Sequence, residues 1–170
     1  MNWSNILNLL KIGETQYLHF LSSITNEDDL GPYLVAFANQ VNGGKIVIGI
    51  DMINCHLLGV NSDIHEAFIP SLVKSYIQPE IKYFCNSIIQ NNKKLLVISV
   101  NEGKNKPYLF KKKCYIKNQK TCHVADKDEE HRLLEKTRFF DLIKHQKAAR
   151  TTVIKMPSKF ITEIKNRKIT

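Results

Sequence analysis

The segment GETQYLHFL, residues 13–21, contains two side chains whose types and spacing could bind a metal ion. It alternates polar and apolar residues, which is typical of a half-buried β-strand, and Glu14 stands five residues before His19. A carboxylate in place of His19 would complete the kind of site at which acidic side chains hold a divalent cation. The segment is therefore either a metal-binding strand that has lost one ligand or a structural strand without chemistry.

A basic run near the middle of the C-terminal half suggests a second kind of chemistry. Its lysines could neutralise phosphates, and the aromatic residues interleaved with them could stack on exposed bases. The lysines are Lys104, Lys106, Lys111, Lys112, Lys113, Lys117 and Lys120, and the aromatic residues are Tyr108, Phe110 and Tyr115. The alternative is that Phe110 and Tyr115 face the core while the lysines face water.

The distribution of charge favours a polyanionic partner. The net charge is +9, and 43% of the 170 residues are hydrophobic, an ordinary share for a globular protein. Residues 1–100 hold 6 Lys and Arg against 8 Asp and Glu, a balance of −2, whereas residues 101–170 hold 19 against 8, a balance of +11. Nucleic acid is the usual partner of such a basic half, although the same charge could simply aid solubility.

The order of the predicted elements indicates an α+β fold in which helices flank a mixed β-sheet. The N-terminal part is predicted to form a helix with Ile6, Leu9 and Leu10 buried, a strand over 15–23, an acidic loop and a helix from Pro32 to Val41. A central strand over 45–50, a short strand within 53–60 and a helix over 64–77, interrupted near Pro70, are expected to follow. The last predicted elements are strands over 81–90 and 94–100, a hairpin from Pro107 and a helix over 126–149. On the first strand, Tyr17 and His19 are expected to share the outer face.

Two glycines follow the second helix and are expected to have a structural role. Gly43 or Gly44 can adopt the left-handed conformation of a helix C-cap, and a helix C-terminus does not bind phosphate. Asn39, just before them, can cap the helix or bridge to a neighbouring segment.

Three parts of the chain are predicted. They are an N-terminal helix over 1–12, a domain over 13–135, and a basic helical extension over 136–170 that ends in the weakly amphipathic segment KFITEIKNRK. That final segment could dock on another chain.

The run AFANQVNGGKIVIGID, residues 36–51, makes a family resemblance specific. With GETQYLHF before it and KPYLFKKKCYIKNQKTCHVA after it, the chain resembles the Schlafen-type, AlbA-like nucleic-acid-binding domain, in which similar elements follow in the same order. The resemblance extends from about Gly13 to about Glu135. It implies a single Schlafen-like lobe that binds nucleic acid, with RNA, tRNA-like or single-stranded, favoured over DNA.

The resemblance also implies a site. Active Schlafen-like domains are metal-assisted endoribonucleases that use two Glu, five apart on the first strand, and an Asp after the Gly-Gly strand. Glu14 and Asp51 match the first Glu and the Asp, and His19 takes the place of the second Glu, so these three are the expected catalytic residues. Glu14 and Asp51 are the expected ligands of Mn²⁺ or Mg²⁺, and His19 could join them for a softer ion or act as a general base.

Departures from the family pattern favour a degenerate endoribonuclease site. His19 should weaken Mg²⁺ binding, Leu21 replaces a Lys, and Lys117 replaces an Arg, which keeps the charge but loses the planar fork. The alternatives are an active metal-dependent endoribonuclease, a non-catalytic subunit of a Schlafen-type assembly, and a DNA-binding regulator. Glu14 could also be a plain surface carboxylate, and Asp51 a turn former.

The remaining expectations concern partners, cofactors and location. No organic cofactor is expected, and the paired lobes of the family that the chain resembles imply a homodimer or a heteromer with another Schlafen-like lobe. The four cysteines form no CxxC pair, so free thiols in a reducing cytosol or nucleus are expected rather than a zinc site at Cys114, Cys122 and His123. No apolar run is long enough to cross a membrane, and an intracellular protein is predicted.

Overall fold

The computed structural model describes residues 3–54, 56–119 and 121–153 and shows an α+β fold, as predicted. Its helices are α1 (Trp3–Ile12), α2 (Glu27–Asn39), α3 (Ser62–Tyr76) and α4 (Lys127–Val153). Its strands are β1 (Leu18–Leu21), β2 (Gly44–Ile48), β3 (Ile50–Asp51), β4 (His56–Leu57), β5 (Ile77–Gln78), β6 (Tyr83–Gln90), β7 (Lys93–Val100), β8 (Leu109–Phe110), β9 (Lys113–Lys117) and β10 (Cys122–Val124). By internal contacts the chain divides into one unit that ends at Leu134 and another that begins at Glu135.

The largest sheet has the order β1-β2-β7-β6, with β1 parallel to β2 and the other pairs antiparallel. This is the predicted mixed sheet, and β2 is central in it. Alternate residues of each strand face opposite sides, so Val47 packs with α1 and Ile46 packs with α2 and α3. Gly49, with φ +102°, ends β2 and turns the chain into the short β3–β4 pair.

A second, antiparallel sheet with the order β10-β9-β8-β5 was not part of the predicted architecture. The hairpin after Pro107 is confirmed, and its turn is formed by Lys111 and Lys112 at φ +47° and +64°. Strand β5 follows α3 without a loop and pairs with β8. It is only two residues long. A segment this short has no periodicity that a sequence pattern could reveal.

Helix α2 begins earlier than predicted. The pattern places its start at Pro32 after an acidic loop, whereas the helix begins at Glu27. The Asn26 side chain accepts a hydrogen bond from the backbone N–H of Asp29, and the Asp29 carboxylate accepts one from the N–H of Asn26. This capping box satisfies donors of the first turn, and its Asn-x-x-Asp signature was present in the sequence. The predicted loop is therefore wrong.

Two proline and glycine predictions need correction as well. Helix α3 continues through Pro70 without interruption, and Pro70 lies on the exposed side of the helix, where water can replace the missing backbone hydrogen bond. Helix α2 ends at Asn39, before the glycines, so Gly43 is not its C-cap. Gly43 instead lies in the turn into β2 at φ +66°, where a Cβ would collide with the carbonyl oxygen of Val100.

Helix α1 has the predicted packing. Ile6 is fully buried, and Leu9 and Leu10 pack against the same apolar cluster on the main sheet. Cys85, Cys114 and Cys122 are free thiols, as expected, while Cys55 lies outside the described residues. Pro157 and the segment at 159–168 also lie outside them. Within the part of the chain that the structure describes, no helix is long and apolar enough to span a membrane.

The buried side chain of Asn39 ties α2 to the second sheet. Its Nδ2 donates to the carbonyl oxygens of Tyr108 and Tyr115 at 3.0 and 3.1 Å, and its Oδ1 accepts from the N–H of Tyr108 at 2.7 Å. Gly31, two turns earlier on α2, leaves the space in which the Phe110 ring packs. One amide and one missing side chain thus fix how the helix lies on β8 and β9.

We expect Asn39→Ala to lower the free energy of unfolding by about 2–4 kcal/mol, because the buried groups of Tyr108 and Tyr115 lose their partners. Asn39→Asp should also destabilise the fold, since it keeps the acceptor but loses both donors and buries a charge. Urea unfolding followed by circular dichroism measures both changes. The control is Asn86→Ala, which removes an exposed amide from β6 and should change stability by less than about 0.5 kcal/mol. Equal losses in Asn39→Ala and Asn86→Ala would contradict the bridging role.

Candidate functional site

Glu14 and His19 lie together, as the resemblance implies. Glu14 precedes β1, and its Oε1 accepts a hydrogen bond from the N–H of Phe20 at 3.1 Å. The same oxygen lies 2.5 Å from Nδ1 of His19. Both ring nitrogens of His19 are buried, and neither has a well-aligned hydrogen-bond partner among the described residues.

The prediction that His19 lies on an outer face of its strand is wrong. Only 7% of His19 is exposed, because α2 covers this side of β1. The imidazole stacks on the ring of Tyr33, with centroids 3.6 Å apart and planes 13° from parallel. Tyr33 is a member of the site that sequence reasoning missed, because a helical pattern does not show which strand each of its faces will meet.

Lys117 completes a buried, charged cluster with Glu14 and His19. It is 4% exposed, and its Nζ donates to the carbonyl oxygen of Gln119 at 3.2 Å. Burial lowers the pKa of Lys117, an effect that the negative charge of Glu14 opposes. Lys117 stands where the resemblance places an Arg, so a cation is kept at that position but is turned inward.

Burial controls the protonation of this cluster. It lowers the pKa of His19 from 6.5 to about 4, helped by the charge of Lys117 and opposed by Glu14. It also raises the pKa of Tyr33, and raises that of the nearby Cys122 thiol to about 11. At neutral pH the ring of His19 is therefore uncharged, and the cluster contains one carboxylate and one ammonium.

Asp51 has a separate local role. Its Oδ1 accepts hydrogen bonds from the N–H groups of Ile53 and Asn54 at 2.9 and 3.2 Å, and its Oδ2 accepts one from the Asn54 side chain at 2.8 Å. These bonds from Asn54 and Ile53 lower the pKa of Asp51. Both carboxylate oxygens thus stabilise the turn between β3 and β4, in the manner of an Asx-turn.

The residues present do not fit a divalent ion held by three carboxylates. Among the described residues, no three His, Cys, Asp or Glu side chains lie close enough to hold a metal. Glu14 is engaged by Phe20 and His19, while Asp51 is engaged by its own turn. The structure brings together two of the three expected catalytic residues and leaves the third apart.

The predicted basic run divides into exposed and engaged lysines. Lys104, Lys112 and Lys113 are exposed. Lys106 and Lys117 were expected at the surface, but both are buried. The Nζ of Lys106 lies 2.7 Å from the carboxylate of Glu102. Lys113 and Lys117 share a face of β9 by alternation, yet the first is exposed and the second is buried, and a charge count cannot reveal that difference.

The other two lysines of the run need separate mention. The Nζ of Lys111 lies 2.9 Å from Asp28 and over the rings of Tyr76 and Phe110. Lys120 lies outside the described residues. The surface with which the run could meet phosphate is thus narrower than the sequence indicates, and it consists mainly of Lys104, Lys112 and Lys113.

The interleaved aromatic residues belong to the core. Phe110 is fully buried, Tyr108 is 5% exposed, and Tyr115 packs partly buried against the same cluster. Tyr108 and Phe110 are therefore not available to stack on bases, and the alternative, that Phe110 and Tyr115 face the core, is what the structure shows.

Comparison with known proteins agrees with this fold. The family model described as Schlafen, AlbA_2 matches residues 14–126, which is more than half of the chain. No curated protein matches the sequence.

Two solved structures share the fold at low identity. The first is the N-terminal domain of a RecG-related ATP-dependent DNA helicase protein from Nitrosomonas europaea, with a TM-score of 0.57 and 17% identity over 75% of this chain and 93% of that one. The second is the DIP2311 protein from Corynebacterium diphtheriae, with a TM-score of 0.53 and 14% identity over 76% of this chain. The matched part is 27% of the DIP2311 chain, about a quarter of its length.

We expect the burial of His19 to make the fold sensitive to acid. The unfolded chain binds a proton at His19 near pH 6.5, whereas the folded chain resists it down to about pH 4, so the free energy of unfolding decreases as the pH falls through this interval. This lowering of the pKa corresponds to a loss of about 3 kcal/mol in the free energy of unfolding between pH 7 and pH 4. His19→Phe keeps a ring against Tyr33 and removes the titration, and His19→Gln removes both.

Urea unfolding at pH 7, 5.5 and 4 measures this effect. Both variants should gain stability relative to the wild-type protein by about 3 kcal/mol between pH 7 and pH 4, whatever their offset at pH 7. An equal gain in both variants shows that the pH effect comes from the titration of His19 and not from the packing of its ring. Parallel pH profiles for the wild-type protein and both variants would contradict the burial of a neutral His19.

Proposed function

The chain belongs to the Schlafen, AlbA_2 family, and we propose that it binds nucleic acid through a Schlafen-like lobe whose metal-dependent endoribonuclease site is degenerate. RNA, tRNA-like or single-stranded, is the proposed ligand in preference to DNA. The observation that carries the proposal is the arrangement of Glu14, His19 and Asp51, which occupy the three catalytic positions of the family. Glu14 contacts a buried His19, and Asp51 is held in a turn of its own.

We expect no cleavage on grounds of charge as well as geometry. Metal-assisted hydrolysis of a phosphodiester needs a cation that neutralises the developing charge, and Mg²⁺ prefers oxygen ligands. The buried imidazole of His19 replaces one such ligand, and Lys117 lies close enough to influence its pKa. An ammonium beside Glu14 already offsets the carboxylate charge that would attract a divalent ion.

Binding needs none of these residues. Phosphate contacts come from exposed Lys and Arg and depend little on sequence. Lys112 and Lys113 stand at and after the tight turn of the β8–β9 hairpin, where both side chains are exposed. Lys104 is exposed on the segment that leads to it. These three provide the cationic surface that the proposal requires.

The preference for RNA rests on the family resemblance rather than on a reading of bases. The solved neighbour from Nitrosomonas europaea is named after a DNA helicase, so DNA of the same sequence is the necessary competitor. Competition between a labelled single-stranded RNA and unlabelled RNA, tRNA or single-stranded DNA ranks them. Equal or better competition by DNA would contradict the RNA preference while leaving nucleic-acid binding in place.

We expect Lys112→Gln with Lys113→Gln to weaken RNA binding about 3- to 30-fold in low salt and to reduce the slope of log affinity against log salt by about 2. The loss should be similar for all sequences, because phosphates carry no sequence information. Fluorescence anisotropy of a labelled 20-nucleotide RNA between 50 and 300 mM KCl is the measurement.

The control is Lys74→Gln with Lys82→Gln. It removes the same charge from two exposed lysines outside the hairpin, one on α3 and one just before β6. If both double variants weaken binding equally, only net charge matters and the proposed surface is wrong. Wild-type binding that does not change with salt would contradict the whole proposal.

We expect no metal-dependent cleavage by the wild-type protein. Labelled tRNA and single-stranded RNA, incubated with Mg²⁺, Mn²⁺ or EDTA, should remain as intact as in the protein-free control. Cleavage that requires metal and disappears in Asp51→Ala would overturn the degenerate site. His19→Glu tests the cause: cleavage gained by this variant alone identifies His19 as the residue that disarms the scaffold.

A further inference from the structure

A second site lies on the opposite face of the main sheet from the Glu14–His19 cluster. A cavity of about 410 Å³ opens between the last turn of α1, the segment before β1, the turn into β2 and the end of β7. Its volume is within the range of ligand-binding pockets, about 300–1,000 Å³. Its lining includes Tyr17, Lys45, Asn42, Ser99 and Asn101.

The register of the sheet places this cavity at one end of a row of side chains that crosses the strands. Leu18 of β1 pairs with Lys45 of β2, Lys45 with Ser99 of β7, and Ser99 with Phe84 of β6. Paired residues of neighbouring strands share a face, which here is the α1 face because Leu18 belongs to the cluster around Ile6. The row therefore runs across all four strands on one side.

Helix α1 covers only part of this face, and the row beyond it is exposed. Phe84 is 60% exposed and Tyr17 is 42% exposed, so two aromatic side chains stand near opposite ends of the row. Lys45, between them along the row, is exposed as well. An exposed aromatic at each end of a polar, cationic strip is not needed by the core on either side of the sheet.

The chemistry of the strip selects for a ligand with a flat face and a negative charge. Aromatic side chains offer stacking surfaces, Ser99 and the amides of Asn42 and Asn101 can donate and accept hydrogen bonds, and Lys45 offers an ammonium. No carboxylate is among the described residues that line the cavity. Glu102, next to Asn101, has its carboxylate paired with Lys106.

We propose that this strip, formed by Tyr17, Lys45, Ser99 and Phe84, is a binding site for unpaired nucleotides of single-stranded RNA. One base stacks at Tyr17 in the cavity, a phosphate meets Lys45, and a base further along the strand stacks on Phe84, because the strip crosses β-strands spaced about 4.8 Å apart. In a duplex the faces of the bases are covered by the stacked neighbouring pairs, so a duplex cannot use the strip. The inference rests on the proposed function and deepens it, because it adds a base-contacting site to the phosphate-contacting hairpin.

The test compares two RNA probes on the full chain. The probes are a fluorescein-labelled 12-nucleotide single strand and a 12-base-pair RNA duplex, both measured by anisotropy at 100 mM KCl. We expect Tyr17→Ala and Phe84→Ala each to weaken single-strand binding about 5- to 20-fold and to leave duplex binding unchanged. Lys45→Gln should weaken single-strand binding about 3- to 10-fold, and Lys45→Arg should bind the single strand like the wild-type protein.

Matched controls separate the strip from general effects. Ile89→Ala removes a similarly exposed apolar side chain, 69% exposed, from the same strand β6. Its side chain lies on the other face from Phe84, because the two positions differ by an odd number of residues. Tyr17→Phe keeps the ring and should bind like the wild-type protein. Unchanged thermal midpoints show that each variant is folded.

Each outcome bears on one proposal or on both. If Tyr17→Ala and Phe84→Ala bind the single strand like the wild-type protein while the Lys112–Lys113 double variant is weakened, the strip is wrong and the proposed function stands. Equal losses on single strand and duplex would also overturn the strip. If the wild-type protein binds neither probe in low salt, both proposals fail.

Discussion

The rest of the architecture depends on one buried amide. Asn39 closes α2 and holds the backbone at Tyr108 and Tyr115, so the helix and the β8–β9 hairpin have a fixed arrangement. A buried amide is favourable only when its donors and acceptor are all satisfied. The satisfied amide fixes the rotation of α2, and that rotation brings Tyr33 onto His19. The chemistry of the candidate site is thus set by a contact made at the far end of the helix.

This arrangement explains why His19 is more than a substituted ligand. A carboxylate in its place would be buried beside Glu14, and two carboxylates so close would repel each other unless a cation lay between them. A neutral imidazole stacked on Tyr33 removes that need, and Lys117 supplies positive charge from the second sheet. In this chain the position is therefore filled by a neutral ring that needs no cation beside it.

Sequence reasoning located the long elements, because patterns such as the apolar run of β2 and the β6–β7 hairpin extend over several residues. It missed the start of α2, where a capping box at Asn26 outweighed Pro32, and it missed the two-residue strand β5. In the site, spacing alone paired Glu14 with His19. Spacing could not give the burial of His19 and Lys117, because burial depends on which helix covers each strand and that is settled by tertiary contacts.

The two faces of the main sheet offer different chemistry because strand residues alternate. On β1, His19 faces α2 and is closed off, while Leu18 begins the row on the other face. Helix α1 is only ten residues long, about 15 Å, and leaves part of that face uncovered. The short helix leaves Phe84 exposed on β6 and Tyr17 exposed in the turn before β1, so that a ligand can reach both rings.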